Sequence, residues 1–197
     1  MTLLQAGQLL HPFMDEDFEL RFGRVAAAQL ASLSARGHLS IRFGGEYIGS
    51  RGLVAERHPA GMDQPASDER QLMDVLFADE REVRVAHRRP DAAQEWNALA
   101  RVVRERLLSA GLGWRRRERY RAVRRLIRLR KAMRDHVRLR GPLNWDDDPV
   151  LYRAGYPLAV LFHIEGGARR WPAPPEDDPA WVPYGLPEAC TAAIHAK

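Results

Sequence analysis

The chain has 197 residues, 45 per cent hydrophobic and 29 per cent charged, which is enough apolar mass for one globular domain or two small ones and excludes global disorder. A single cysteine, Cys190, excludes an intrachain disulfide and any multi-cysteine zinc site, and no apolar run approaches the roughly 20 residues of a membrane span. The formal net charge is +5, yet Trp114 to Arg140 carries thirteen Arg or Lys against Glu118 and Asp135, a net +11 that leaves the other 170 residues at −6.

Met1 to Leu10 lacks the basic start of a signal peptide and is followed by Asp15, Glu16 and Asp17, so a cytoplasmic protein is expected. Asp15 to Arg36 reads as the first helical region, with Val25, Ala26, Leu30 and Leu33 on one face, many alanines for close packing, and Gly37 placed as a C-terminal stop. Leu39, Ile41 and Phe43 alternate with His38, Ser40 and Arg42 before Gly44-Gly45, and Tyr47, Ile48, Leu53 and Val54 follow. That pattern predicts a short β-hairpin that must lean on other structure. His58 to Pro65 reads as a loop. Ser67 is the expected N-cap of a helix from Asp68 to about Asp79 that turns Leu72, Val75, Leu76 and Phe77 inward.

Val83 and Val85 alternate for barely one strand length within Glu80 to Arg89. Asp91 with Gln94 resembles a reciprocal cap, and Trp96, Leu99, Ala100, Val103 and Leu107 form an apolar stripe up to Gly111. Gly111-Leu112-Gly113 allows only a tight connection, so this helix and the basic one that follows are expected as an antiparallel helical hairpin, about 91–140, at the centre of the molecule.

At 100° per residue the basic segment puts Tyr120, Val123, Leu126, Ile127, Met133 and Val137 on one side. Arg117, Arg121, Arg124, Arg128 and Lys131 follow a 4, 3, 4, 3 spacing on the other, where such neighbours stand roughly 5 to 6 Å apart. Arg125 adds to this cationic ridge, and intrahelical acids that would neutralise it are nearly absent. The guanidinium fork suits phosphate, although 29 Arg to 2 Lys across the whole chain weakens that signal. The alternative is a solvated face, or one paired with Asp146, Asp147 and Asp148 or with Glu176, Asp177 and Asp178. The eight acids after residue 140 are too few to do that and stay solvated. Among aromatics, Tyr120 falls on the apolar side and is expected to be buried, which leaves Trp114 and Trp145 as candidates for stacking on bases.

Gly141-Pro142 ends the basic helix. Tyr156 to Ile164 is a near-continuous apolar run that suits a buried strand or a short core helix alike. From Gly166 onward prolines interleave with Trp171, Trp181 and Tyr184. Residues 1–165 are therefore read as one globular domain and 166–197 as a Pro/Trp-rich extended tail anchored by its aromatics. No internal repeat of fixed period is present. The fold class is mainly α with a small β component (α+β).

Catalytic and cofactor signatures are absent from the sequence. The seven histidines are scattered, with no His-x-x-x-His pair. His163 beside Glu165 reads as a satisfied core histidine. Asp146 to Asp148 is a weak Mg²⁺ motif, since adjacent loop acids seldom converge on one ion, and Asp148 before Pro149 suits a helix cap. Neither Lys131 nor Lys197 completes an acid-x-Lys nuclease motif, and Cys190 has only His195 nearby. There is no phosphate loop, dinucleotide fingerprint or Gly-x-Ser-x-Gly elbow. No cofactor, resident metal or membrane partner is expected. The reading is a non-catalytic nucleic-acid-binding protein or subunit of a nucleoprotein complex, without sequence-specific base reading. It grips phosphates through Arg117, Arg121, Arg124, Arg125, Arg128 and Lys131, with Trp114 and Trp145 beside them. The alternative is an adaptor whose basic helix docks on an acidic protein; a metal-dependent nuclease using Asp146 to Asp148 comes third.

Overall fold

The computed structural model describes residues 1–10, 18–44, 52–59, 61–86, 92–112, 116–164, 171, 174–176, 178, 181–183 and 185–194. Within them lie seven helices and one three-stranded antiparallel sheet, so the protein is mainly α with a small β component. The helices are α1 (Leu3–Leu10), α2 (Phe18–Ala35), α3 (Ser67–Phe77), α4 (Ala92–Ser109), α5 (Arg116–Arg140), α6 (Pro149–Phe162) and α7 (Leu186–Ile194). Strands β1 (Leu39–Phe43), β2 (Leu53–Arg57) and β3 (Glu82–Arg84) form the sheet in that order.

Helix α2 is the hub. Ala26, Ala27, Ala28, Leu30, Ala31 and Leu33 are sealed from solvent, because alanines on several faces let neighbouring backbones approach closely from more than one side. Its most extensive contacts are with α7 and α6, and α1, β1 and α3 also touch it. At its end, Gly37 takes a left-handed conformation with φ of 76°. The His38 N–H then donates to the Leu33 carbonyl and the Gly37 N–H to that of Ser34, the paired bonds that close a helix on an αL glycine.

That closure delivers the chain directly into β1, where Leu39 and Ile41 are buried, as the alternation predicts. Ile41 faces Ala55 across the β1–β2 pair, and Ala55 faces Val83 on β3, whose three residues match its weak pattern. The residues between β1 and β2 that include Gly45, Tyr47 and Ile48 lie outside the described set.

Helix α1 was not anticipated from the sequence. Its N-terminus is capped from a distance: the Leu3 and Leu4 N–H groups donate to Gln29 Oε1 on α2 at 2.8 and 3.3 Å, and Thr2 Oγ1 accepts from Gln5 N–H at 3.3 Å. Gln29 in turn donates to Glu69 on α3 at 2.7 Å, and Thr2 donates to Asp68 at 2.6 Å, so a buried polar chain ties α1, α2 and α3 together.

Helix α3 starts one residue earlier than expected. Ala66 rather than Ser67 holds the N-cap position, and Glu69 reaches back to accept the Ala66 N–H at 2.7 Å. Leu72, Val75, Leu76 and Phe77 are buried, as are Trp96, Leu99, Val103 and Leu107 on α4. The ambiguous apolar run after Tyr156 resolves as helix. Asp148 Oδ1 accepts the Leu151 N–H at 2.9 Å, and Pro149 opens α6 where a missing N–H does no harm.

Two expectations need correction. Residues 186–194, assigned by composition to an extended tail, form α7, with Leu186, Ala189, Cys190, Ala193 and Ile194 buried against α2 and α4. Proline and glycine density just before this segment masked a short apolar helix. Helices α4 and α5 do follow each other closely, but α5 packs chiefly against α1 rather than along α4. Among the described residues Val123 and Leu126 are the buried side chains of α5, with Ala122, Met133 and Val137 packed half-buried against the core. No helix among the described residues is long and apolar enough to cross a membrane.

Candidate nucleic-acid interface

Helix α5 is 25 residues long, or about 37 Å at the usual rise of 1.5 Å per residue. Its inward seam is narrow: Val123 and Leu126 are buried, while Arg130, Met133 and Val137 continue the same 3, 4 spacing half-buried. Burying the two aliphatic side chains contributes about 1.5 to 3 kcal/mol each. Four neighbouring like-charge pairs along the ridge cost a few tenths each, about 1 to 2 kcal/mol together at low salt. The seam therefore wins, and the helix stays seated without an anion.

Arg117, Arg121, Arg124, Arg125, Arg128 and Lys131 are all exposed. The five ridge cations, without Arg125, span 15 residues on the side facing away from the seam, about 21 Å from first to last. Among the described residues none of the six forms a side-chain hydrogen bond or ion pair. Several of the acids are engaged elsewhere. Asp178 pairs with Arg153 at 3.0 Å, Glu69 with Arg36 at 2.8 Å, Glu56 with Arg81 at 2.9 Å, and Glu82 with Arg42. Asp148 is used as the cap of α6, its Oδ1 accepting the Leu151 N–H. Among the described residues, pairing of the ridge with the acidic loops is not realised.

The aromatic candidates change places. Trp114 lies outside the described residues. Trp145 is half-buried, stands edge-on to Tyr152 at 5.6 Å, and has the Arg153 guanidinium 4.9 Å from its ring centroid, so that face is already covered by a cation. It belongs to a structural cluster. Tyr152 stacks on Tyr156 at 5.4 Å with the planes 11° apart, and Trp171 meets both edge-on, fastening residue 171 to α6. Burial raises both tyrosine phenols well above their ordinary range. Tyr120, expected to be buried, is instead 63 per cent exposed, and Ile127 is 44 per cent exposed. The apolar stripe read from periodicity is wider than the seam that is covered, so its ridge-side edge is left in solvent.

The remaining chemical groups serve the fold. His163 is exposed at the C-cap of α6 in a left-handed conformation, φ 47°, and is not a core histidine. Among the described residues the buried histidine is His38. Its Nε2 donates to Asp63 at 2.8 Å, while Gly61 lies so close over Nδ1 that an added Cβ would come within 2.1 Å, so neither ring nitrogen is open to a substrate. Arg36 completes the cluster by bridging Asp63 and Glu69, which pushes its own pKa up. Cys190 is fully enclosed, and burial raises its thiol far above the range in which thiolates form. Among the described residues no group of His, Cys, Asp and Glu side chains is arranged to hold a metal ion.

Comparison with known protein families, curated proteins and solved structures finds no match to this chain.

Proposed function

We propose that the protein is a non-catalytic nucleic-acid-binding protein, or a subunit of a nucleoprotein complex, that grips the phosphate backbone along α5 and acts in the cytoplasm. The observation that carries this reading is the ridge itself. Five exposed cations, with Arg125 beside them, stand on a rigid, independently anchored helix without side-chain ion pairs among the described residues. Arg forks spaced at helical i,i+3 and i,i+4 intervals bind phosphate oxygens two at a time, and backbone contacts of this kind carry no sequence preference. Cytoplasmic residence is in keeping with a chain that has a single cysteine.

The test is fluorescence anisotropy with labelled RNA and DNA across a salt series. Five ridge contacts on duplex predict a slope of log affinity against log salt near −4.5, about 0.9 per phosphate. Changing Arg117, Arg121, Arg124 and Arg128 together to Gln should bring that slope to about −1. Absence of binding at low salt by a folded protein overturns the proposal and redirects the ridge to an acidic protein groove. Cleavage in Mg²⁺ that is lost in Asp146→Ala, Asp147→Ala or Asp148→Ala would instead make the protein a nuclease.

A further inference from the structure

Along the ridge-side edge of α5, cations alternate with uncovered apolar side chains. Arg117, Tyr120, Arg124, Ile127 and Lys131 follow one another at spacings of 3, 4, 3 and 4, so each is a helical neighbour of the next, roughly 5 to 6 Å away. All five are exposed, and among the described residues the Tyr120 ring makes no ring contact or hydrogen bond. A helix that only gripped a duplex would have no use for this arrangement. In a duplex the base faces are covered by their neighbours, so a Tyr ring between two phosphate-binding Arg residues would meet only sugar and solvent.

An unpaired strand presents both elements at once, a phosphate chain for the cations and open base faces for the ring. Base–aromatic stacking next to a cationic track is the general mode by which single strands are held without sequence preference. Resting on the backbone-binding reading above, we infer that the ligand of α5 is a single-stranded polynucleotide, with Tyr120 as the stacking platform and Ile127 as the apolar rest for the adjacent base or sugar. Tyr120 thereby sets the preference for strand over duplex, while the ridge supplies affinity to both.

The experiment measures anisotropy of one labelled oligonucleotide as single-stranded RNA, as single-stranded DNA and as the matching duplex, at one fixed salt concentration. The proteins are the full-length parent, Tyr120→Leu, Tyr120→Phe and the fourfold Arg→Gln variant. Tyr120 is exposed, so neither substitution threatens folding. The parent is expected to favour the single strand. Tyr120→Leu should weaken single-strand binding by about 5- to 150-fold while changing duplex binding less than about twofold, and Tyr120→Phe should retain the parent's preference. The RNA and DNA arms show whether the sugar matters. Equal loss on strand and duplex in Tyr120→Leu, or no loss on either, overturns the stacking assignment. The phosphate grip still stands in that case if the fourfold variant loses both ligands. Failure of the parent to bind any of the three overturns both.

Discussion

Replacing Gly23 by Ala tests whether α7 is seated on α2 as described. Gly23 lies inside α2 with Thr191 of α7 against it. A Cβ at position 23 would stand 2.2 Å from Thr191 Oγ1 and 2.8 Å from both Thr191 N and Cα. The hydroxyl is tied to the Pro187 carbonyl at 2.8 Å, and the other two atoms are backbone, so relief requires α7 as a whole to move. Two effects oppose each other. Alanine is the better helix former by about 0.8 to 1 kcal/mol, whereas overpacking a tight contact costs typically 1 to 3 kcal/mol. Here the clash falls on the most extensive helix–helix contact among the described residues, so the upper half of that range applies and the net loss should be about 1 to 2 kcal/mol. For a chain of this size that corresponds to a fall in Tm of about 2 to 8 °C, read by far-UV circular dichroism with urea unfolding as a check. Adding Thr191→Ala removes the hydroxyl clash but leaves the backbone one, so only part of the loss should return. A Gly23→Ala protein as stable as its parent, or more so, would refute the reasoning, because residues 186–194 would then not press on α2.

The fourfold Arg117, Arg121, Arg124 and Arg128→Gln variant should remain folded and gain about 1 to 2 kcal/mol at low ionic strength. Thermal melts should show that gain vanishing at about 1 M salt, where the Debye length is about 3 Å. Asp63 is held below its ordinary value of 3.8 by the hydrogen bond from His38 and by Arg36, so its ionised form is favoured in the folded state. That contribution is complete above the ordinary value and is lost as pH falls through the lower folded one. Asp63 is about half exposed, so solvent screens the effect. Urea midpoints below pH 3.8 should fall less steeply for Asp63→Asn than for the parent, and an unchanged acid limb would remove the cluster from the account.

Legibility in the sequence followed the width of each signal. Elements with a full apolar face were readable: the Trp96 to Leu107 stripe, the alternation through Leu39 and Ile41, and the stop at Gly37 all appear where periodicity and backbone chemistry put them. Helix α1 was not, because its N-terminus is capped by Gln29 from another helix, a long-range bond that leaves no local pattern. Helix α7 was hidden behind prolines that punctuate the chain without deciding what comes after them. The ridge could be read because charge needs no partner to be visible in a sequence. The fate of Tyr120 could not, because periodicity assigns a face but says nothing of how much of it the neighbouring helix covers. Trp145 fails as a free stacking ring for the converse reason, since Arg153 and Tyr152 come to it only through the fold of α6.

The narrow seam of α5 also bears on how the protein can change. Among the described residues of this helix only Val123 and Leu126 are buried, so most of its sequence is released from the demands of the core. A cation on the outer side can be gained or lost in one substitution without repacking anything, and under the proposed phosphate grip each step alters the salt exponent of binding by about one unit. Affinity on such a helix is graded rather than all-or-none. On the phosphate grip proposed above, a lineage can drift up or down that scale while the rest of the molecule keeps its fold, with binding strength following a count of side chains rather than a shape.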